Sequence, residues 1–263
     1  MKKALKVAVQ LLASFGFTEK TLRADSALLP IAYYVSHRKL GSKYLTKSSS
    51  DNDRQSIRKW LLRSLLKASG IWGSGLDTLL AALRDVIVEH GDEEFPVRKL
   101  EEVMAKRGKS LQFGEEEINE LAEMPYGDKR LFALLSLMYP FVDVTNHQFH
   151  IDHIFPRSRF TKPKLKKAEI PEGEWDEYKE LVDNLPNLQL LEGGANIAKQ
   201  AKMPKQWMDE TMNESQQAHY CEIHLLGDIS GSLSDFPRFY EGRLDSTKRR
   251  IGDLLEVSSD KAD

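Results

Sequence analysis

Apolar residues recur at helical spacing along most of the first 140 residues. Intervals of three and four residues place such side chains on one face of a helix. The clearest stripe consists of Ile57, Trp60, Leu61, Leu65 and Leu66. Similar apolar faces recur at residues 79–87 and 131–138. The pattern therefore predicts a helical domain over residues 1–140.

The pattern changes after Pro140. Residues 141–156 are rich in β-branched and aromatic side chains without helical periodicity, and residues 188–191 form a second run of strand length. Gly193 and Gly194 separate that run from a short helical segment at residues 195–201, and a long helical segment covers residues 235–257. The sequence predicts a mainly α protein whose residues 141–263 form a small α+β module.

Composition narrows the classes of protein. The chain of 263 residues carries 38 Lys and Arg against 40 Asp and Glu, a net charge of −2, so any nucleic acid must meet a local basic patch. The only cysteine is Cys221, which excludes an intrachain disulfide and a four-cysteine zinc module. Lys6 and Gln10 interrupt the apolar N-terminal stretch, which disfavours a signal peptide. No apolar run reaches 18 residues, the length that indicates a transmembrane helix. We expect a cytoplasmic protein without a membrane partner.

The densest group of chemically competent side chains lies in the sequence HIDHIFP at residues 150–156. On a strand, alternation places His150 and Asp152 on one face and His153 on the other. Asp152 and His153 can meet the same substrate only if the strand ends at that point, and Pro156 favours such an ending. A zinc site formed from His147, His150 and His153 with later residues is a weaker interpretation, because this spacing does not match a closed zinc site.

Three segments together resemble a known nuclease family. They are HIDHIFP at residues 150–156, NLQLL at 187–191 and NIAKQAK at 196–202. The set resembles the HNH nucleases with a ββα-metal (His-Me) finger. More closely, it is similar to the C-terminal region of GmrSD-type and phosphorothioate-sensing Ssp-type restriction proteins. The resemblance implies an HNH domain at residues 141–263, with the finger at about 147–203 and a C-terminal helix at about 235–257.

The same resemblance assigns roles to residues. His153 corresponds to the general base, and Asp152 and Asn196 correspond to the metal ligands, with Mg²⁺ or Mn²⁺ as the cofactor. Asn187 is expected to complete the catalytic set by bracing the loop that orients His153. His150 is either a further ligand or a partner of the ligands.

A basic run follows directly on this motif. Residues 157–167 contain six Lys or Arg and no acid. Such a run is often only a solvated surface, but its position favours contact with phosphate. The predicted DNA contacts are Arg157, Arg159, Lys162, Lys164, Lys199 and Lys202.

These observations lead to a ranked set of hypotheses. The first is a metal-dependent HNH endonuclease or nickase that cleaves double-stranded DNA in bacterial defence against phage. The resemblance also implies a partner, an N-terminal NTPase and sensor domain or subunit, because its Asp-Gly-Gln-Gln-Arg-type motif is not found in this sequence. The DNA modification sensed is left open between glycosylated bases and phosphorothioates. Alternatives are a non-catalytic DNA-binding or protein-interaction module and an HNH enzyme acting on RNA.

Overall fold

The computed structural model describes residues 2–19, 21–68, 70–142 and 149–256. The chain divides into two compact units, the N-terminal unit at residues 1–112 and the C-terminal unit at residues 113–263. The predicted boundary lies near residue 140 instead. The difference arises because the helices at residues 115–122 and 131–138 pack against the long C-terminal helix, which joins them to the C-terminal unit.

The N-terminal unit is built from helices. They are α1 (Lys2–Ser14), α2 (Leu28–His37), α3 (Asp51–Leu66), α4 (Leu76–His90) and α5 (Val97–Ala105). The predicted apolar stripe is the buried face of α3, where Ile57, Trp60 and Leu61 are completely buried. Each such side chain contributes about 1.5–3 kcal/mol when it leaves water.

The C-terminal unit combines helices with a small sheet. Its elements are α6 (Glu115–Ala122), α7 (Leu131–Met138), β1 (Phe149–His153), α8 (Lys162–Lys167), α9 (Trp175–Leu181), β2 (Leu188–Glu192), α10 (Gly193–Lys199), α11 (Pro204–Thr211), α12 (Glu214–Ile223) and α13 (Phe236–Leu255). The prediction of a mainly helical protein with a small β module is confirmed for the described residues. No described helix is long and apolar enough to cross a membrane.

Most predicted elements agree with the structure, and the glycine pair does not. The sequence predicts Gly193 and Gly194 as a break before the short helix, whereas they form the first turn of α10. Neither has the positive φ that would mark a break, so both fit a helical turn. The first residues of the predicted finger and the last residue of the predicted long helix lie outside the described residues.

An aromatic core fixes the chain directly after β1. Phe155 is completely buried, and its ring lies 4.9 Å from that of Phe239 and 5.4 Å from that of Phe236. Phe160 packs edge-on against Phe236 at 4.7 Å. Because Phe236 and Phe239 belong to α13, this helix anchors the segment that carries the HIDHIFP motif.

Candidate active site

The candidate site lies where β1 ends against β2 and α10. The two strands are antiparallel, with Asp152 opposite Gln189 and His153 opposite Leu188. β1 ends at His153, and α10 follows β2 without a connecting loop and contacts both strands. The strand therefore ends at His153, as expected, and joint action of Asp152 and His153 stays a prediction.

Asn187 makes the hydrogen bonds of a loop brace. It is completely buried, and its Oδ1 accepts the N–H of Phe155 at 2.9 Å. Its Nδ2 donates to the carbonyl oxygens of Phe155 at 3.0 Å and Val182 at 2.9 Å. One side chain thus joins the segment after His153 to the turn after α9. These contacts match the expected bracing, while a role in catalysis stays a prediction.

His153 is held on two sides. Its Nε2 lies 2.8 Å from Oδ1 of Asp183, and the other carboxylate oxygen of Asp183 lies 2.9 Å from a guanidinium nitrogen of Arg157. The Tyr126 ring lies 5.0 Å from the imidazole. The His153 side chain remains 15% exposed, so it is not closed off from solvent.

Asp152 is paired inside the protein. Its Oδ2 lies 2.9 Å from Nζ of Lys199 and accepts a hydrogen bond from Nε2 of Gln189 at 3.0 Å. Gln189 in turn accepts from the hydroxyl of Tyr220 at 2.6 Å. Within the described part of the chain, no hydrogen bond reaches Oδ1 of Asp152. One carboxylate oxygen is thus held and the other is available to a ligand.

The structure corrects the expectation for Lys199. The sequence predicts a phosphate contact, but Lys199 is only 1% exposed and its ammonium also donates to the carbonyl of His153 at 2.6 Å. Burial lowers the pKa of Lys199, and the Asp152 carboxylate opposes that shift. The buried ammonium is held by these acceptors at the end of β1 and is not available to DNA.

The chemistry of the donors fits a hard divalent cation. Asp152 offers a carboxylate and Asn196, half-buried on α10, offers an amide oxygen. Mg²⁺ prefers oxygen ligands and is often bound through only one or two carboxylates, keeping several waters. In the part of the chain that is described, no three His, Cys, Asp or Glu residues cluster closely enough to hold a metal.

Of the two remaining histidines in this region, the structure describes His150 and does not describe His147. His150 is exposed on β1 opposite Leu191, and its role as a ligand stays a prediction. His147, which the zinc interpretation requires, lies outside the described residues.

The predicted DNA contacts differ in how far their charged groups are already bound by other parts of the protein. Arg157 is 67% exposed although it pairs with Asp183, and Lys162 is exposed at the start of α8. Arg159 donates twice to the carbonyl of Ala201, and Lys164 donates to that of Ser158. Lys202 pairs with Glu210 at 2.7 Å. Of these, Arg157 and Lys162 present the most accessible charge.

Sequence reasoning missed the supporting residues. Asp183 lies in a turn with no motif of its own, and Gln189 lies inside the NLQLL segment, where it is read as a strand residue. Arg243 is buried on α13 and donates to the carbonyls of Pro186 at 2.6 Å and His224 at 3.2 Å. It therefore fixes the 3-10 turn (Leu185–Asn187) that ends in the bracing asparagine.

Comparison with models of protein families gives a match. The family model described as GmrSD restriction endonucleases, C-terminal domain, matches residues 76–223, more than half of the chain. A search of curated proteins found no match.

Proposed function

Because the chain belongs to the family of C-terminal domains of GmrSD restriction endonucleases, we propose that it is a metal-dependent HNH endonuclease or nickase that hydrolyses DNA phosphodiester bonds. The observation that carries the proposal is the end of β1. There Asp152 and His153 are the last two residues of the strand, and α10, which carries Asn196, packs against it.

His153 is the general base of the proposed reaction. A neutral imidazole can take a proton from water while that water attacks phosphorus, because its unperturbed pKa lies near neutral pH. The brace formed by Asn187 holds the backbone after His153, so the ring starts from a fixed position. General-base catalysis of this kind contributes about 10²- to 10⁴-fold to the rate.

Asp152 and Asn196 are the proposed ligands of Mg²⁺ or Mn²⁺, with His150 as a further ligand or a partner of the ligands. When bound, the cation supplies positive charge that stabilises the developing charge on phosphate and leaving-group oxygens. Lys199 and Gln189 hold Oδ2 of Asp152, which leaves Oδ1 in a fixed direction for a ligand. The proposed products carry a 5′ phosphate and a 3′ hydroxyl.

The surface after β1 is the proposed DNA contact. Arg157 and Lys162 offer accessible charge, and Arg159, Lys164 and Lys202 lie on the same stretch of chain or on the segment after α10. Contacts of this kind bind phosphate without recognising sequence. Selectivity for modified DNA would then belong to an NTPase and sensor domain or subunit, within a cytoplasmic system that restricts phage DNA.

A plasmid assay tests the proposal. The purified chain is incubated with supercoiled plasmid DNA in Mg²⁺, in Mn²⁺ and in excess chelator, with and without ATP or GTP. We expect nicked or linear product with either cation and none in chelator, without any nucleotide. Matched modified and unmodified plasmids should differ by less than about tenfold, which corresponds to about 1.4 kcal/mol.

Three outcomes would contradict it. Full activity in chelator would refute the metal mechanism. DNA binding without cleavage under every condition would favour the non-catalytic module. Faster cleavage of a matched RNA substrate would favour an RNA enzyme.

A further inference from the structure

Asp183 contacts the proposed general base but has no role in the reaction as proposed above. Its carboxylate contacts His153 through Oδ1 at 2.8 Å and Arg157 through Oδ2 at 2.9 Å. The two partners therefore bind different oxygens of one carboxylate. This arrangement fixes the rotation of the carboxylate as well as its distance from the imidazole.

The backbone around Asp183 is held independently of its side chain. The carbonyl oxygen of Asp183 accepts the N–H of Tyr126 at 2.6 Å. The preceding carbonyl, that of Val182, accepts a hydrogen bond from Nδ2 of Asn187. The same side-chain amide binds both the N–H and the carbonyl oxygen of Phe155. Asn187 thus sets the separation between the turn carrying Asp183 and the strand end carrying His153.

We propose that Asp183 is the positioning residue that orients the imidazole of His153 for proton abstraction, an inference that rests on the proposed function. An ionised carboxylate can only accept a hydrogen bond, so Nε2 of a neutral His153 carries the hydrogen and Nδ1 keeps the lone pair. Nδ1 is then the atom that takes the proton of water. The resulting imidazolium forms beside a carboxylate, which stabilises it.

The two possible roles of Asp183, repelling DNA and orienting His153, predict kinetic effects of opposite sign when its charge is removed. Asp183 is a negative charge next to Arg157, on the surface proposed to meet DNA phosphate. Removing that charge should strengthen DNA binding or leave it unchanged. If Asp183 only repelled DNA, its removal would raise activity. If it orients His153, its removal lowers the rate of the bound complex even though binding does not weaken.

The test uses the near-isosteric variant Asp183→Asn in the full chain with Mg²⁺. We expect kcat for plasmid nicking to fall by about 10- to 100-fold, by analogy with the loss of partners that orient metal-binding histidines. KM for DNA should stay within about twofold or fall. The matched control is Asp176→Asn, which removes the same charge from α9 at a side chain 99% exposed. A kcat for Asp183→Asn within about twofold of that control would overturn the proposal.

A spectrum separates this inference from the proposed function. Protein labelled with ¹⁵N-histidine gives long-range ¹H–¹⁵N signals for each imidazole, and the signals of His153 are those absent from His153→Ala. We expect the wild type to show His153 with hydrogen on Nε2, protected from exchange, and expect Asp183→Asn to lose that protection. Identical His153 signals in both proteins would overturn the inference. If the wild type shows the predicted signals yet cleaves no DNA, the pairing stands and the proposed function fails.

Discussion

Both compact units hold polar side chains in buried hydrogen-bond networks, and the units differ in what lies beside the network. In the N-terminal unit, Arg63 binds Glu101 and the carbonyl of Leu111, and Lys67 donates to the carbonyl of Gln112. These contacts join a helix to nearby chain segments. The buried hydroxyls of Tyr34 and Tyr44 also donate to Oδ2 of Asp53, each at 2.7 Å. In the C-terminal unit, hydrogen bonds run from Tyr220 through Gln189 to Asp152 and its partner Lys199.

The difference separates support of the fold from support of a site. A buried charge costs free energy unless it is fully paired, and apolar packing of equal volume often stabilises more. The C-terminal unit carries that cost directly beside the proposed base and metal ligand. We infer that its network holds reactive groups in place, whereas the network around Asp53 in the N-terminal unit joins α2 and α3.

His153→Ala should have the largest effect on DNA cleavage. Cleavage at saturating DNA should fall by about 10²- to 10⁴-fold, because the general base is lost, while DNA affinity stays near that of the wild type. His219→Ala is the matched control, since that side chain is 71% exposed on α12. Single-turnover cleavage measures the effect. A rate within a few-fold of the wild type would remove His153 from the mechanism.

Asn187→Ala should reduce both stability and activity. It leaves two carbonyls and one N–H of the buried brace without their partner, at about 1–3 kcal/mol for each group. We expect the free energy of unfolding in urea to fall by about 3 kcal/mol or more, and cleavage by the remaining folded protein to fall as well.

Leu61→Ala in the N-terminal unit sharpens the contrast. Truncation of this completely buried side chain should cost about 2–5 kcal/mol of stability. Cleavage per folded molecule should not change. Equal losses of activity per folded molecule in the two variants would show that the units do not differ in function.

A pH effect of intermediate size comes from His224. Burial, with Arg243 nearby, lowers the pKa of His224 to about 3. The unfolded chain therefore binds a proton near pH 6.5 that the folded chain does not bind until about pH 3. Its contribution to stability is fully present above pH 6.5 and is lost as the pH falls through that window, by about 1.4 kcal/mol per pH unit.

His224→Leu should remove this dependence. Urea unfolding between pH 6 and pH 4 should show a shallower loss of stability than in the wild type. The exposed histidine variant His219→Leu should keep the wild-type slope. The same slope in all three proteins would mean that His224 does not couple protonation to unfolding.

The smallest effect concerns the basic surface. Lys162 and Lys166 are exposed on α8. If both touch phosphate, the double variant Lys162→Ala/Lys166→Ala should lower the log–log salt slope of duplex binding by about 0.9 per lost contact. The control removes two exposed lysines of α1, Lys2 and Lys3. An unchanged slope would return the run to a solvated surface.

Local pattern predicted much of this fold. The strand containing His153, the strand after Asn187 and the long helix beginning after Asp235 all follow from periodicity, turn residues and Pro237. Asp183 could not be found in this way, because its contact with His153 joins residues 30 apart through a turn fixed by Tyr126 and Asn187. The packing of α10 on β1 likewise buries a residue whose charge favours the surface, Lys199.

Isotope-labelled water reveals which bond is hydrolysed at the candidate site. Wild-type protein cleaves a short DNA duplex in H₂¹⁸O with Mg²⁺ under single-turnover conditions, and the ends of the products are identified by mass. Metal-dependent attack of water on phosphorus predicts one ¹⁸O in a 5′ phosphate, a 3′ hydroxyl on the other fragment, and no product in chelator. A 3′ phosphate, an unlabelled 5′ phosphate, or the same products in chelator would contradict it.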